Sequence, residues 1–159
     1  MNKKVRFIAH AALLAALYVT LTVIAAMLGL SSGAIQLRLS EALCVLPALT
    51  PAAIPGIFIG CIIANTVTGG LPWDIVFGSL ATLIGLIGTR LLRRAPKWVY
   101  PIPAIVSNML IVPAVLIRVY GLEDTYFFLM MTVGIGEILS AGVLGILLYT
   151  AVSQTKLFR

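Results

Sequence analysis

The stretch Phe7-Ile8-Ala9-His10-Ala11-Ala12-Leu13-Leu14-Ala15-Ala16-Leu17-Tyr18-Val19-Thr20-Leu21-Thr22-Val23-Ile24-Ala25-Ala26-Met27-Leu28 contains no Asp, Glu, Lys or Arg, and Lys3, Lys4 and Arg6 stand just before it. Roughly 20 apolar residues are what a helix needs to cross the hydrocarbon layer. A secretory signal has the same basic start, but its apolar core runs only about 7–15 residues. The stretch is therefore read as a retained first transmembrane helix. It leaves the cytoplasm, because basic clusters stay on that side.

The rest of the chain repeats the pattern. Of 159 residues, 61% are hydrophobic and only 10% are charged, and the mean hydropathy is +1.12. A soluble domain would carry about a quarter charged residues. Lipid is the solvent that fits. After loops, the length leaves room for about six spans and for no soluble domain, so residues 1–159 are expected to form a single transmembrane domain. Nine of the eleven basic residues fall in three clusters between apolar stretches: Lys3, Lys4 and Arg6; Arg90, Arg93, Arg94 and Lys97; Lys156 and Arg159. Such clusters mark cytoplasmic segments. That placement, rather than nucleic acid, explains the net charge of +6. Both termini are then cytoplasmic, and the expectation is an all-α, multi-pass cell-membrane protein: a compact bundle of six transmembrane helices.

Gly29-Leu30-Ser31-Ser32-Gly33 breaks the first helix on the outside. From Gln36 to Asn65 come two short spans, split around Thr50-Pro51-Ala52-Ala53-Ile54-Pro55-Gly56, where proline removes backbone donors. About 30 residues for two crossings is short, so these spans are shielded by neighbours or the local fold is compact. Thr66 to Asp74 is a second outside loop. The fourth helix runs from about Ile75 to Leu92, the fifth from Pro101 to Tyr120, and the sixth from Tyr126 to Val152.

Polar residues at membrane depth are expensive and suggest function. Arg38, Glu41, Asp74, Arg118, Glu123 and Asp124 fall at outer helix ends or in outer loops, and Glu137 lies about three turns into the sixth helix. Arg38 and Glu41, three apart, suit an ion pair on one helix face as well as a ligand role. Glu123 and Asp124 read as solvated loop residues. Glu137, in Gly134-Ile135-Gly136-Glu137-Ile138, has no sequence-local cation; it favours a ligand network, with the glycines permitting close approach. Asn65 and Asn108 are candidate amide partners. Trp73 and Tyr126 suit an interface belt or stacking on a planar ligand. Ala11, Ala12, Ala15 and Ala16 form two pairs of small residues four apart, a spacing that lets helices pack closely in lipid. The same small-residue logic makes Gly56 and Gly60 an internal packing pair.

Cys44 and Cys61 read as packing residues rather than a disulfide or metal pair. The sequence holds no phosphate-binding Gly-x-x-x-x-Gly-Lys-Ser/Thr loop, no zinc spacing and no Ser/His/acid set. Neither cofactor nor metal is expected, and no enzymatic activity. A membrane enzyme would want a clustered acid or His/Cys site near the cytoplasmic interface. A channel would want a continuous polar stripe. Here the polar residues gather at one end of several helices, as a closed pocket requires.

Ile35-Gln36-Leu37-Arg38-Leu39-Ser40-Glu41-Ala42-Leu43, then Leu46-Pro47, Thr50 to Gly56, Phe58-Ile59-Gly60-Cys61, Ala64-Asn65 and Asp74-Ile75-Val76-Phe77-Gly78-Ser79-Leu80-Ala81-Thr82-Leu83, resemble the QueT family. These are S-components, the substrate-binding subunits of energy-coupling-factor (ECF) transporters, associated with uptake of queuosine precursors. The resemblance covers essentially the whole chain. It implies six helices binding substrate near the outer face, docked on a transmembrane coupling subunit driven by two ATPase subunits. By the same resemblance, Ala11, Ala12, Ala15 and Ala16 become the docking face. The expected ligand is 7-aminomethyl-7-deazaguanine or a close relative, the alternative being another small heterocyclic vitamin. Glu41, Asp74 and Glu137 are then the expected acceptors and Asn65 and Asn108 their amide partners. Arg38 is expected to order Glu41, with Trp73 or Tyr126 stacking.

Overall fold

The computed structural model describes residues 2–30, 36–155 and 158. Ser31 to Gly33 of the first outer break, Ile35 of the motif run, and Lys156 and Arg159 of the last basic cluster lie outside the described residues. Among the described residues the fold is entirely helical. Helix α1 spans Lys3–Met27, α2 Ala53–Val67, α3 Pro72–Leu91, α4 Ile102–Tyr120, α5 Tyr126–Glu137 and α6 Gly145–Ser153. A 3-10 segment, Leu39–Ala48, precedes α2, and a π-helical segment, Ile138–Leu144, joins α5 to α6 in one run. Four helical stretches are long and apolar enough to cross a membrane: Lys3–Met27, Pro72–Leu91, Lys97–Tyr120 and Tyr126–Ser153.

Local chemistry sets the helix ends. The Asn2 side chain accepts from the Lys4 amide, capping α1, and Thr125 caps α5 by accepting from the Phe128 amide, each satisfying one of the orphan donors of a first turn. Pro72 opens α3, where its missing N–H costs nothing. Gly121 ends α4 at φ 66°, a left-handed conformation that glycine adopts without a side-chain clash.

The 3-10 segment organises the bundle. Its ten residues, at about 2.0 Å each, reach only about 20 Å, less than the roughly 30 Å of hydrocarbon. Ser40 to Pro47 are all buried, and α1, α2, α3, α6 and the π-helical segment pack around them. The 3-10 segment is thus shielded by its neighbours. Pro51 has no N–H to offer the Pro47 carbonyl. Arg90, grouped by sequence with the basic loop, ends α3 and donates from Nη1 to that carbonyl at 3.0 Å.

Small residues decide how closely the helices approach. A Cβ on Gly56 would strike the Ala11 backbone of α1, and one on Gly60 would lie 2.9 Å from the Ala15 carbonyl oxygen. Ala11 and Ala15 are thus committed to α2, whereas Ala12 and Ala16 are exposed. The expected four-residue docking face therefore divides, because α2 covers half of it. The pairing of Gly56 with Gly60 is an internal packing device as expected. On the far side, Gly85 of α3 packs against Ala104 of α4, where a Cβ would lie 2.6 Å from Ala104 Cα. Gly136 is pressed against the Gln36 backbone, and Gly134 against Met109 Sδ. What the glycines flanking Glu137 admit is the chain itself, not an approaching ligand.

Two glycines give opposite expectations. Gly56→Ala should lower stability by about 1–3 kcal/mol through forced separation of α1 and α2. Gly142→Ala, whose Cβ meets only Ile105 Cδ1 and Ile138 Cγ2 at 3.8 Å, should be neutral or stabilise by up to about 1 kcal/mol. Reversible unfolding in mixed micelles measures both, and equal effects would contradict the packing described.

Candidate functional site

Glu41, on the first turn of the 3-10 segment, is completely buried. A carboxylate there must be matched by donors, and they come from separate elements. Tyr18 of α1 donates its hydroxyl to Glu41 Oε1 at 2.5 Å, and Thr82 of α3 donates to the same oxygen at 3.4 Å. Cys44 Sγ lies 3.1 Å from Oε2, and Asn108 Nδ2 of α4 donates to it at 3.4 Å. The Tyr18 hydroxyl also lies 3.4 Å from Cys61 Sγ, which accepts from Asn65 Nδ2 at 3.6 Å. Both cysteines are free and buried, but each takes part in this polar network instead of merely filling space.

A cavity of about 470 Å³ opens beside the network. Tyr18, Thr22 and Ala25 of α1 line it, with Gln36, Arg38 and Ser40 leading into the 3-10 segment. Asn65, Gly70 and Asp74 come from the α2–α3 junction, and Leu116 and Tyr120 from the end of α4. Asp74 Oδ2 accepts from the Tyr120 hydroxyl at 2.7 Å, and that hydroxyl in turn accepts from the Leu71 amide at 3.4 Å. Thr22 Oγ1 lies 2.8 Å from Ser40 Oγ, tying α1 to the 3-10 segment at the cavity wall.

Of the residues singled out by sequence, Arg38, Asn65 and Asp74 line the cavity directly. Glu41 is bonded to Tyr18 of the cavity wall, and Asn108 and Glu137 are buried without lining the cavity. Among the described residues, Asn108 Oδ1, Glu137 Oε2, Ser79 Oγ and Ser140 Oγ have no hydrogen-bond partner. Arg38 does not pair with Glu41 as a short ion pair among the described residues; Tyr18, Thr82, Cys44 and Asn108 take that place. Trp73 is 63% exposed and stacks on Phe77 with centroids 6.1 Å apart. Tyr126 donates to the Leu110 carbonyl at 2.6 Å. Neither lines the cavity, whose aromatic residues are Tyr18 and Tyr120. Glu123 and Asp124 are exposed.

Tyr18 is the main residue that sequence reasoning passed over. Its signal was position: a tyrosine midway along an apolar run sits away from the interfacial belts where tyrosine normally resides, and a buried phenol needs a partner. Tyr120 and Tyr126 stand alike at helix ends in the sequence; only the folded chain separates the one that reaches Asp74.

A family model described as QueT transporter matches residues 8–154, nearly the whole chain. No curated protein and no solved structure matches.

Removing one donor from the network isolates its contribution. Tyr18→Phe keeps the Cβ that packs beside Gly60 and the ring, and deletes the hydroxyl, leaving the buried carboxylate one donor short. Stability should fall by about 1–3 kcal/mol in denaturant titration. An unchanged unfolding midpoint would mean that the bond to Glu41 contributes nothing.

Proposed function

The chain belongs to the QueT transporter family, and on that premise we propose that it is the S-component of an ECF importer, capturing 7-aminomethyl-7-deazaguanine or a close relative. The observation that carries the reading is the 470 Å³ cavity. It lies within the range of about 300–1,000 Å³ usual for small-molecule sites and brings Arg38, Asn65 and Asp74 from different elements onto one space. In this reading the chain crosses the cell membrane six times with both termini in the cytoplasm, and the cavity opens outward.

The ligand's chemistry suits these groups. A deazaguanine presents an adjacent ring N–H and exocyclic amine, two donors that one carboxylate accepts together. Asp74 takes that role. The ring carbonyl needs a donor, which Arg38 or Asn65 supplies. Tyr120 offers its ring as a stacking surface, the role first sought at Trp73 and Tyr126. The aminomethyl group is cationic and wants a second acid. Glu41 and Glu137 lie beyond Tyr18 with no short ion pair to a described cation, and buried carboxylates in that situation gain most from a cationic guest. Rotation of Tyr18 away from Glu41 is the step that joins the cavity to this inner pair. Ala12 and Ala16, exposed on α1, form the face for the coupling subunit, whose two ATPase partners supply the energy. Ala11 and Ala15 support that face from within.

Isothermal titration of the detergent-purified chain with 7-aminomethyl-7-deazaguanine, with guanine and riboflavin as controls, tests the proposal. Binding near one-to-one for this ligand alone is expected. Asp74→Asn and Glu137→Gln should each weaken it about 10- to 100-fold, the loss of one charge-assisted hydrogen bond. Unchanged affinity in both variants would remove both residues from the site, and no heat from folded protein would overturn the substrate.

A further inference from the structure

A second cavity, of about 580 Å³, lies at the opposite end of α4 from the first. Pro101, Ile102 and Ile105 of the α4 end form one wall, and Ile138, Val143, Ile146 and Leu147 form the other. Gly142, on the π-helical segment, leaves a notch between the walls: a Cβ there would meet nothing closer than 3.8 Å. Several lining side chains are open to the surroundings, including Ile102 at 48%, Ile138 at 52% and Leu147 at 62% exposure. This is an apolar groove on the flank of the bundle.

Its one end is different. Among the described residues, Lys97 and Thr150 are the groove's only strongly polar lining, and they stand together, Lys97 Nζ donating to Thr150 Oγ1 at 3.3 Å. The same ammonium lies 5.0 Å from the centre of the Trp98 ring. Lys97 is half-buried, the burial expected of a lysine whose stem covers apolar surface while its ammonium meets polar partners. An ammonium has three donors, and the hydroxyl of Thr150 uses one. Arg93 and Arg94, both exposed, belong to the same turn between α3 and α4. No acid among the described residues pairs with these cations. An apolar trough closed at one end by a fixed, unneutralised cation, a hydroxyl and an indole has the layout of a phospholipid: acyl chain along the trough, phosphate at the rim.

We propose that this groove is a binding site for an anionic phospholipid of the leaflet facing the basic turn, with the headgroup phosphate on Lys97, which Thr150 holds in place while donating its own hydroxyl to the Ile146 carbonyl, and one acyl chain in the notch at Gly142. Trp98 marks the headgroup level, where indoles settle. Basic pockets between transmembrane helices favour acidic headgroups for this electrostatic reason. The proposal does not depend on the identity of the transported ligand.

Native mass spectrometry of the purified chain, exchanged from detergent with palmitoyl-oleoyl phosphatidylglycerol or phosphatidylcholine, tests it. The wild-type chain should retain phosphatidylglycerol in preference to phosphatidylcholine, and inorganic phosphate should not displace it. Lys97→Gln should cut phosphatidylglycerol retention about fivefold and leave phosphatidylcholine unchanged, whereas Lys97→Arg should keep the preference. Gly142→Leu, which fills the notch, should reduce retention of both lipids. Equal retention of the two lipids by the wild-type chain would overturn the proposal and leave the groove to a protein partner. So would a preference that survives Lys97→Gln, or retention untouched by Gly142→Leu.

Discussion

A carboxylate buried in the middle of an apolar bundle has to be surrounded by donors, and Glu41 imposes that requirement on three of the surrounding helices. Tyr18, Thr82 and Asn108 answer it from α1, α3 and α4. Cys44 answers from the same 3-10 segment. Helices that would otherwise be exchangeable apolar rods are thereby set to a particular rotation about a single point. The 3-10 segment that carries Glu41 is too short to face lipid across its length, so it occupies the centre, where neighbours satisfy its polar groups. Arg90 completes that arrangement by serving the Pro47 carbonyl that Pro51 cannot.

Convergence on one point requires close helices, and the small residues permit it. Gly56 and Gly60 let α2 settle onto Ala11 and Ala15, and Gly85 lets α3 settle onto Ala104. In lipid, where apolar side chains gain little by leaving the solvent, such close backbone approach is a main source of helix association. The polar network and the glycine contacts therefore depend on each other. The cavity lies beside this network, walled by Arg38, Asn65, Asp74 and Tyr120.

Much of this was legible before folding was considered. Apolar runs of helical length, basic clusters between them and the proline at Pro51 identify helices and breaks, because hydropathy and backbone chemistry act locally; Pro47 and Pro55 instead lie inside the 3-10 segment and α2. Arg38, Asn65 and Asp74 were also legible, since each is a polar residue at one end of an apolar run. What was not legible depends on which way a helix faces. Ala11 and Ala12 are neighbours in one motif, yet one meets Gly56 and the other is exposed. Trp73 and Asp74 are adjacent, yet only the acid turns into the cavity. Arg38 and Glu41 have the spacing of an ion pair, but that spacing assumes that both residues are helical, and Arg38 stands just ahead of the 3-10 segment with a non-helical backbone, φ −97° and ψ 87°. Tyr18 was hidden by its surroundings, a polar atom on an aromatic ring inside an apolar run.

The central claim is that a small polar ligand occupies the space between Arg38, Asn65 and Asp74 with Glu41 behind it. A cryo-electron microscopy structure of the chain, enlarged by a bound antibody fragment and saturated with 7-aminomethyl-7-deazaguanine, addresses it most directly. Ligand density within hydrogen-bonding distance of Asp74 and of Arg38 or Asn65, with Tyr18 turned from Glu41, is the predicted result. Density elsewhere in the bundle, with the cavity residues and Tyr18 unmoved, would contradict it.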